Sequence, residues 1–496
     1  MKPLFEIELH ASAKGSRNAA QNLHSQLLAA IRDGRLPLGA RLPPTRDARA
    51  LFGVSRNTAA EVYDRLINEG YVVARRGSGT FVADALPLAP ARSVSHSSAQ
   101  GRLNPFWLQR DVTAAMGFWR DASGQRPARG SRSVDLRPAL VDSRLFPFPV
   151  FRRLMAKQLR ALERKPADYK SPQGNQGNYG LRDAITRHIA LTRAVVCIAD
   201  DVLVTNGAQQ AFDLLARTLV VPGETVVAIE DPGYPPMRVA FAAAGAKLVA
   251  VAVDGQGLVV EQIPPSASVI CLCPSHQFPT GVTMSSARRK ALVDFARKHE
   301  AVIVEDDYDG EFRYEDSPLA ALRTREAADV VFYVGTFSKC MLPALRLGFI
   351  VAPEWALPTL IAAKNALDWH CPIPMQMAVA AFVAEGHLAQ HVRKMRHVYQ
   401  QRRKFLLETL REDLSRWLVP IPSSYGMHIG AYARSAVDLE GVTEQMLRRQ
   451  ISIHSFSRYY LGSPGKPGLI LGYGTAGTAE LRHGLSCLRE ALSKGV

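Results

Sequence analysis

The sequence predicts two folded parts of different class. One is a small unit of three helices closed by a two-stranded hairpin. The other is a large α/β unit on a mostly parallel sheet, with a smaller α/β portion at its end. Three observations carry this. Helical apolar spacing, interrupted by a tight turn and followed by a basic glycine-rich hairpin, fills residues 18–83. From Val134 onward short apolar runs alternate with helical stretches. Groups suited to a phosphate and an aldehyde recur where those runs end, and open α/β sheets gather ligands there.

The totals bound the rest. A chain of 496 residues has room for about two to four domains. Hydrophobic content of 47% and charged content of 21% are those of an ordinary globular protein. No run approaches the roughly 18 uninterrupted apolar residues of a membrane span. Met1-Lys2-Pro3-Leu4-Phe5-Glu6 has no signal-peptide core, so a cytoplasmic location is expected. The six cysteines are scattered, which suggests neither a zinc site nor a disulfide framework, and no metal is expected. The net charge of +16 points to a polyanion partner. It is concentrated early: residues 1–84 hold twelve Lys/Arg against eight Asp/Glu, and residues 85–133 hold seven against two.

Taken in order, Leu23, Leu27, Leu28 and Ile31 recur at helical spacing from Asn18 to Asp33, and Gly34 ends the run. A short helix from Arg46 to Phe52 follows, with Thr45 as its expected N-cap. Gly53-Val54-Ser55 makes a turn. A third helix runs from Arg56 to Glu69 with Ser55 as N-cap and Ala59, Val62, Leu66 and Ile67 inward. Strand signals at 71–73 and 80–82 flank Arg75-Arg76-Gly77-Ser78-Gly79. The arrangement is a winged helix-turn-helix. Arg56, Asn57 and Thr58 at the start of the third helix suit major-groove edges. Ser55 and Arg46 suit phosphates, and Arg76 with Gly77 at the wing tip suits a minor groove.

The stretches Leu42-Pro43-Pro44-Thr45-Arg46, Val54-Ser55-Arg56-Asn57-Thr58 and Arg76-Gly77-Ser78-Gly79-Thr80-Phe81-Val82 resemble the GntR-type winged helix-turn-helix. The resemblance implies that Arg46, Ser55, Arg56, Thr58 and Gly77 touch double-stranded DNA. A DNA-binding domain is expected over 12–84. Residues 85–133, rich in Pro, Ser, Ala, Gly and Arg, read as a linker. Its middle (Phe106, Trp107, Leu108, Val112, Met116, Phe118 and Trp119) is apolar enough to dock on a neighbouring surface.

In the remaining region, 134–496, strand signals fall at 202–204, 225–229, 247–253, 269–273, 301–305, 330–335 and 347–351, with helical stretches such as 208–219 and 288–299 between them. A small α/β portion is expected from about Leu388. Thr336-Phe337-Ser338-Lys339 follows one strand, and Arg346 lies seven residues on. A desolvated lysine there has a lowered pKa and can form a Schiff base, while hydroxyls and a guanidinium suit a phosphate. Together they suggest pyridoxal 5'-phosphate (PLP). Thr205-Asn206-Gly207-Ala208-Gln209-Gln210 ends a strand and opens a helix whose free N–H groups favour phosphate. Asp306 at another strand end suits a protonated pyridine nitrogen, Tyr308 shares its strand face, and the loop residue Tyr234 can stack on a flat ring.

This half resembles the fold-type I aminotransferases, and the whole order resembles the MocR/GabR family of transcriptional regulators. Also similar are Pro274-Ser275-His276-Gln277-Phe278-Pro279-Thr280-Gly281 and Asp306-Asp307-Tyr308-Asp309-Gly310-Glu311-Phe312-Arg313-Tyr314. The resemblance implies that Lys339 carries PLP, Asp306 holds its ring nitrogen, Tyr308 bonds its ring hydroxyl and Tyr234 stacks on it. Ala208, Gln209, Thr336, Ser338 and Arg346 would bind the phosphate, with Tyr169 reaching in from a second subunit of a homodimer. Three features depart from the aminotransferase pattern. Phe278 stands where those enzymes have Asn, with Gln277 or His276 as the expected substitute. Leu181-Arg182 is displaced by about three residues relative to the stretch around Tyr169. No arginine lies near the last strand to grip a substrate carboxylate, and Arg458 is the expected replacement.

The implied function is a PLP-dependent regulator that binds promoter half-sites and senses an amine, an amino acid or PLP itself at Lys339. The aminotransferase-like domain is then a sensor, with a slow half-transamination compatible with its parts. An active aminotransferase that also binds DNA is the alternative, and a DNA-binding protein with a vestigial site is a third.

Overall fold

The computed structural model describes residues 19–75, 77–84, 103–117, 133–166, 174–314, 319–434, 437–462 and 465–494. The chain divides between Pro105 and Phe106 into two compact units.

In the first unit, α1 (Ala19–Arg32), α2 (Ala48–Phe52) and α3 (Arg56–Asn68) precede an antiparallel hairpin, β1 (Val72–Arg75) and β2 (Gly79–Val82). Leu23, Leu27 and Ile31 of α1 close over Ala59, Val62 and Leu66 of α3 and over Val72 and Val82. Burying side chains of this size contributes roughly 1.5–3 kcal/mol each. Tyr63 joins them and donates its hydroxyl to Pro43 O at 2.8 Å. Ser55 caps α3 as expected, accepting from Thr58 N at 3.1 Å. The expected Thr45 cap is not formed. The chain enters α2 through a 3-10 turn, Thr45–Asp47, and Asp47 at the cap position already has helical angles (φ −94°, ψ −1°) and makes no side-chain cap bond.

The second unit starts earlier than the composition suggested. A 3-10 turn (Pro105–Leu108) leads into α4 (Arg110–Met116), where Val112 is buried, so this part of the expected linker folds with the large unit. Phe118 and Trp119 lie outside the described residues.

The large sheet contains β3 (Val202–Thr205), β4 (Val226–Asp231), β5 (Lys247–Asp254), β6 (Gly257–Leu258), β7 (Ala267–Leu272), β8 (Val302–Asp307), β9 (Val331–Thr336) and β10 (Gly348–Val351). Their order is β3-β10-β9-β8-β7-β4-β5-β6. The run β9-β8-β7-β4-β5 is parallel, while β10 is antiparallel to both its neighbours. Near-continuous burial along β3, β8 and β9 is what a sheet covered on both faces requires, whereas β5, toward the far edge, is largely open. Alternation sorts the side chains. Val202, Val204, Tyr333 and Phe349 pack under α5 (Phe148–Arg164), α6 (Tyr179–Arg193) and Ile373–Ala384. Leu203, Val334 and Ile350 pack under α7 (Ala208–Leu219), α8 (Pro235–Ala243) and Leu357–Asp368. α4 lies against α8.

The smaller portion opens with a 25-residue helix, His387–Arg411, and continues into β11 (Leu418–Pro420), β12 (His428–Ala433), β13 (His454–Ser455) and β14 (Gly468–Gly472). These form an antiparallel sheet in the order β11-β12-β14-β13. The segment after Ser133 also belongs here: Val134 and Asp135 pair with Ile451 and Ser452, and Gly472 N donates to Leu136 O at 2.7 Å. A side chain at Gly472 would meet Arg137 O at 2.0 Å, so the close approach demands glycine.

One ion pair is sealed at the carboxyl end of the sheet. Arg193 Nε, at the end of α6, lies 2.6 Å from Asp307 Oδ2, with both side chains 5% exposed or less. Tyr333 Oη donates to the same oxygen at 2.5 Å, and Arg193 Nη1 donates to Leu319 O at 2.8 Å. Removing one partner leaves a buried charge unpaired. Arg193→Leu is expected to destabilise the large unit by about 3–5 kcal/mol, read as a lower urea midpoint. Arg193→Leu/Asp307→Leu should recover most of that loss.

Candidate functional site

The carboxyl ends of the parallel strands open onto a cavity of about 530 Å³. Ala208, Gln209, Tyr234, Asp306, Tyr308, Thr336, Ser338, Lys339 and Arg346 all line it. These nine expected cofactor residues come from five segments that the sheet topology brings to one edge.

Lys339 follows β9, and its Nζ donates to Ala139 O at 2.6 Å. Burial lowers its pKa to about 8; Asp309 and Asp306 oppose that effect and Arg346 adds to it. Asp306, near the end of β8, is driven the other way by burial, up to about 7, while a hydrogen bond from Cys273 Sγ at 3.6 Å lowers it. Asp306 Oδ1 is buried without a hydrogen-bond partner. Such an atom is costly unless a donor meets it. Under it, Glu230 of β4 accepts from Cys273 N at 2.9 Å and is pushed by burial up to about 8. Burial therefore disfavours the charged form of both carboxyl groups, and a cation placed beside them would offset that effect.

At the other end, Thr336 Oγ1 donates to Ser338 Oγ at 2.9 Å and accepts from Ser338 N at 3.1 Å. Arg346 has left-handed backbone (φ 50°), and its Nη2 donates to Asn206 O at 3.1 Å. That places the guanidinium beside the N-terminus of α7, capped by Gly207 at φ 78°. The positive φ favours glycine at 207, and a Cβ there would lie 2.9 Å from Arg346 Nη2, pressing on the guanidinium in its present place. Hydroxyls, a guanidinium and free helix N–H groups make an anion cradle. Tyr234 closes one side, edge-on to Phe278 with ring centroids 5.5 Å apart.

Three expected residues do not line the cavity: Gln277, His276 and Arg458. Gln277 is buried in its own loop, where Nε2 donates to Pro232 O and Phe278 O at 2.8 and 2.7 Å and Oε1 accepts from Thr280. Its amide is fully used in holding the turn. Arg458 stands exposed on a 3-10 turn, Phe456–Tyr459, and is not among the lining residues. Tyr169 lies outside the described residues. Met116, Ala139, Leu140, Phe278 and Pro343 line the cavity without having been singled out for it. Phe278 had a signal, as an apolar residue in a polar motif, and so did Met116, in the apolar stretch expected to dock on a neighbouring surface.

Behind Tyr308, its hydroxyl lies 2.7 Å from His276 Nδ1, which also faces Asp309 at 3.0 Å. The donor atoms of His276, Asp309 and His428 lie within 4.8 Å of one another and are the one such group among the described residues.

In the first unit, Arg56 and Asn57 are exposed at the start of α3, and Thr58 is half-buried with its hydroxyl 2.8 Å from Ser55 Oγ. The Arg46 side chain is 79% exposed, with only a 3.8 Å approach to Asp47. Gly77 turns the hairpin at φ 76°, and Arg76 lies outside the described residues.

Comparison with known proteins adds kinship. Residues 19–82 match the bacterial regulatory proteins of the gntR family, and residues 143–451 match aminotransferase class I and II. The chain is similar to the probable rhizopine catabolism regulatory protein MocR of Rhizobium meliloti, at 33% identity over 95% of this chain and 93% of that one. It is 30% identical to the HTH-type transcriptional regulator TauR of Rhodobacter capsulatus, over 98% and 99% of the two chains. Among solved structures, the α-aminoadipate aminotransferase LysN of Thermus thermophilus, complexed with N-(5'-phosphopyridoxyl)-L-leucine, superposes with a TM-score of 0.66 at 26% identity. That match covers 77% of this chain and 96% of LysN.

The lowered pKa of Lys339 has a direct readout. Its labelling by an amine-reactive acyl reagent, followed by peptide mass spectrometry, should reach half its maximal rate near pH 8. Exposed lysines should do so near about pH 10. A midpoint near 10 at Lys339 would show that its amine is not desolvated.

Proposed function

We propose a function that proceeds from one fact: the chain belongs to the MocR-like transcriptional regulators, in which a GntR-type reader is joined to an aminotransferase class I and II domain. It is a DNA-binding transcriptional regulator, and its large unit is a sensor for a small amine or amino acid, or for PLP itself.

The cavity suits PLP. The carrying observation is Asp306 Oδ1, an unpartnered buried oxygen that a protonated pyridine nitrogen would satisfy. Lys339 offers an amine with a lowered pKa to the aldehyde, and Thr336, Ser338, Arg346 and the start of α7 offer donors to the phosphate. Tyr234 offers a ring face and Tyr308 a hydroxyl. Bound PLP supplies an aldehyde carbon that exchanges one primary amine for another. This chain's residues would hold the ring, with Asp306 as the acceptor for its nitrogen, and keep water from Lys339. The ligand complexed with LysN, a phosphopyridoxyl amino acid, has the chemistry expected here.

An effector amine competing with Lys339 for the cofactor would return the lysine amine to the cavity with no net change of charge. It shifts the protein between states only by its differential affinity for them. The reader end carries Arg46, Ser55, Arg56, Asn57, Thr58 and Gly77 to DNA half-sites, and paired half-sites suit a homodimer. Among the described residues, Arg346 is the one guanidinium that lines the cavity, and it stands at the phosphate end. No second arginine among the described residues lines the cavity to grip a substrate carboxylate, which favours sensing over aminotransferase turnover as the main role. Sustained turnover with an amine donor and a keto acid would reverse that preference.

Lys339→Ala is expected to abolish the visible absorbance of PLP-loaded protein and the effector response while leaving effector-free DNA binding intact. Titration of a promoter fragment with and without a panel of amines checks this, and an unchanged response would refute a covalent sensor. At the reader, Arg56→Ala should weaken specific binding by about 1–3 kcal/mol. Arg46→Ala should instead lower the slope of log affinity against log salt by about 1, with little change in sequence preference.

A further inference from the structure

The pair behind Tyr308 has a role that the expected site does not assign. His276 and Asp309 are 2% and 1% exposed. His276 Nδ1 lies 2.7 Å from Tyr308 Oη and 3.2 and 3.0 Å from the two Asp309 oxygens. The opposite nitrogen, Nε2, has no hydrogen-bond partner. The imidazole is clamped in place. The His428 ring lies with its centroid 4.7 Å away, and a Cβ at Gly426 would come within 1.9 Å of His276 Cε1.

One ring nitrogen therefore faces two oxygens, and it can carry one proton or one lone pair, not both. When Asp309 occupies it, as a carboxylate accepting N–H or as an acid donating O–H, the Tyr308 hydrogen has no acceptor there and is free to point into the cavity. Without Asp309, Nδ1 as acceptor captures the Tyr308 hydrogen, because buried polar groups pair with what is in reach. Phe278, whose ring stands edge-on to Tyr308 at 5.6 Å, offers no donor that could replace it.

We propose that Asp309, acting through His276, is a positioning residue that keeps the Tyr308 hydroxyl free to donate into the cavity, onto the ring oxygen of a pyridoxal cofactor. This rests on the reading of the cavity as a PLP site. The other ionisable groups facing the pair are Asp306, Asp307, Glu230, Glu311, Cys273, His428, Lys339, Arg193 and Arg403, and the variants below leave all of them in place.

The test follows the visible absorbance of PLP-loaded protein against pH. A donor on the ring oxygen favours the form that carries uncompensated negative charge there, so losing the donor raises the midpoint. Tyr308→Phe should raise it by about one pH unit, a tenfold change in the equilibrium. Asp309→Ala should raise it by a similar amount, as Tyr308 turns to His276. Asp309→Ala/His276→Phe, in which nothing is left to capture the hydrogen, should return the midpoint most of the way. Asp309→Ala added to Tyr308→Phe should move it no further. Thermal melts establish that each variant folds, and Asp309→Leu replaces the alanine variant if that one does not. An unmoved midpoint in Asp309→Ala, or an equal shift in the Tyr308→Phe background, overturns the proposal. Failure of the unsubstituted protein to develop visible absorbance with PLP would overturn the cofactor reading as well.

Discussion

Everything in the large unit turns on one amine held out of water. Lys339 sits where burial disfavours its ammonium and two nearby carboxyl groups, on Asp309 and Asp306, resist its discharge. Those opposing effects leave the pKa near 8, within reach of neutral pH. A fully exposed lysine would be protonated and inert toward an aldehyde, and a fully buried unpaired one would cost several kcal/mol of stability. The carboxyl groups pay a matching desolvation cost, and Asp306 and Glu230 rise to about 7 and about 8. The site is therefore a set of mutually dependent ionisations rather than a lysine with neighbours.

Such a set needs a rigid frame, and the sheet supplies it. Parallel strands β9, β8, β7 and β4 end at the same edge, so residues more than a hundred positions apart in the chain converge there. The Arg193–Asp307 pair and the Tyr333 hydroxyl fix the end of β8 from behind. Asp306 is held beside Asp307 with its own side chain facing the cavity. Antiparallel β10 returns the chain so that Arg346, just before it, meets Gly207, just after β3. A strand order without β10 between β3 and β9 would part the two halves of the anion cradle.

The reader unit obeys different physics. Its core is small, and its outward groups work by charge and hydrogen bonding at an exposed helix start rather than by desolvation. Interactions of exposed arginines are screened by salt, whereas the ionisation of a buried amine is set by desolvation and by the charges around it. Between the two units in sequence, α4 folds with the large unit and contributes Met116 to the cavity wall.

Local pattern was enough for much of this. The seven strand signals and the helices between them were legible because short apolar runs and helical spacing are written residue by residue. Ser55 could be read as a cap because capping is a contact across three residues. Lys339, Asp306, Tyr308 and Gly207 stood out because strand ends in α/β sheets gather ligands whatever their partners turn out to be. What the chain could not reveal alone depends on contacts between distant segments. The pairing of Val134 with Ile451, the Ala139 carbonyl that receives Lys339 and the retention of Gln277 inside its own turn are such contacts. The competition of Tyr308 and Asp309 for one nitrogen of His276 belongs with them. The sequence determined which elements form and which chemical groups they carry, because those follow from short-range periodicity. Tertiary structure decided which of those groups share a dry cavity and therefore how their protons are apportioned, because burial and Coulomb interaction depend on distance through space.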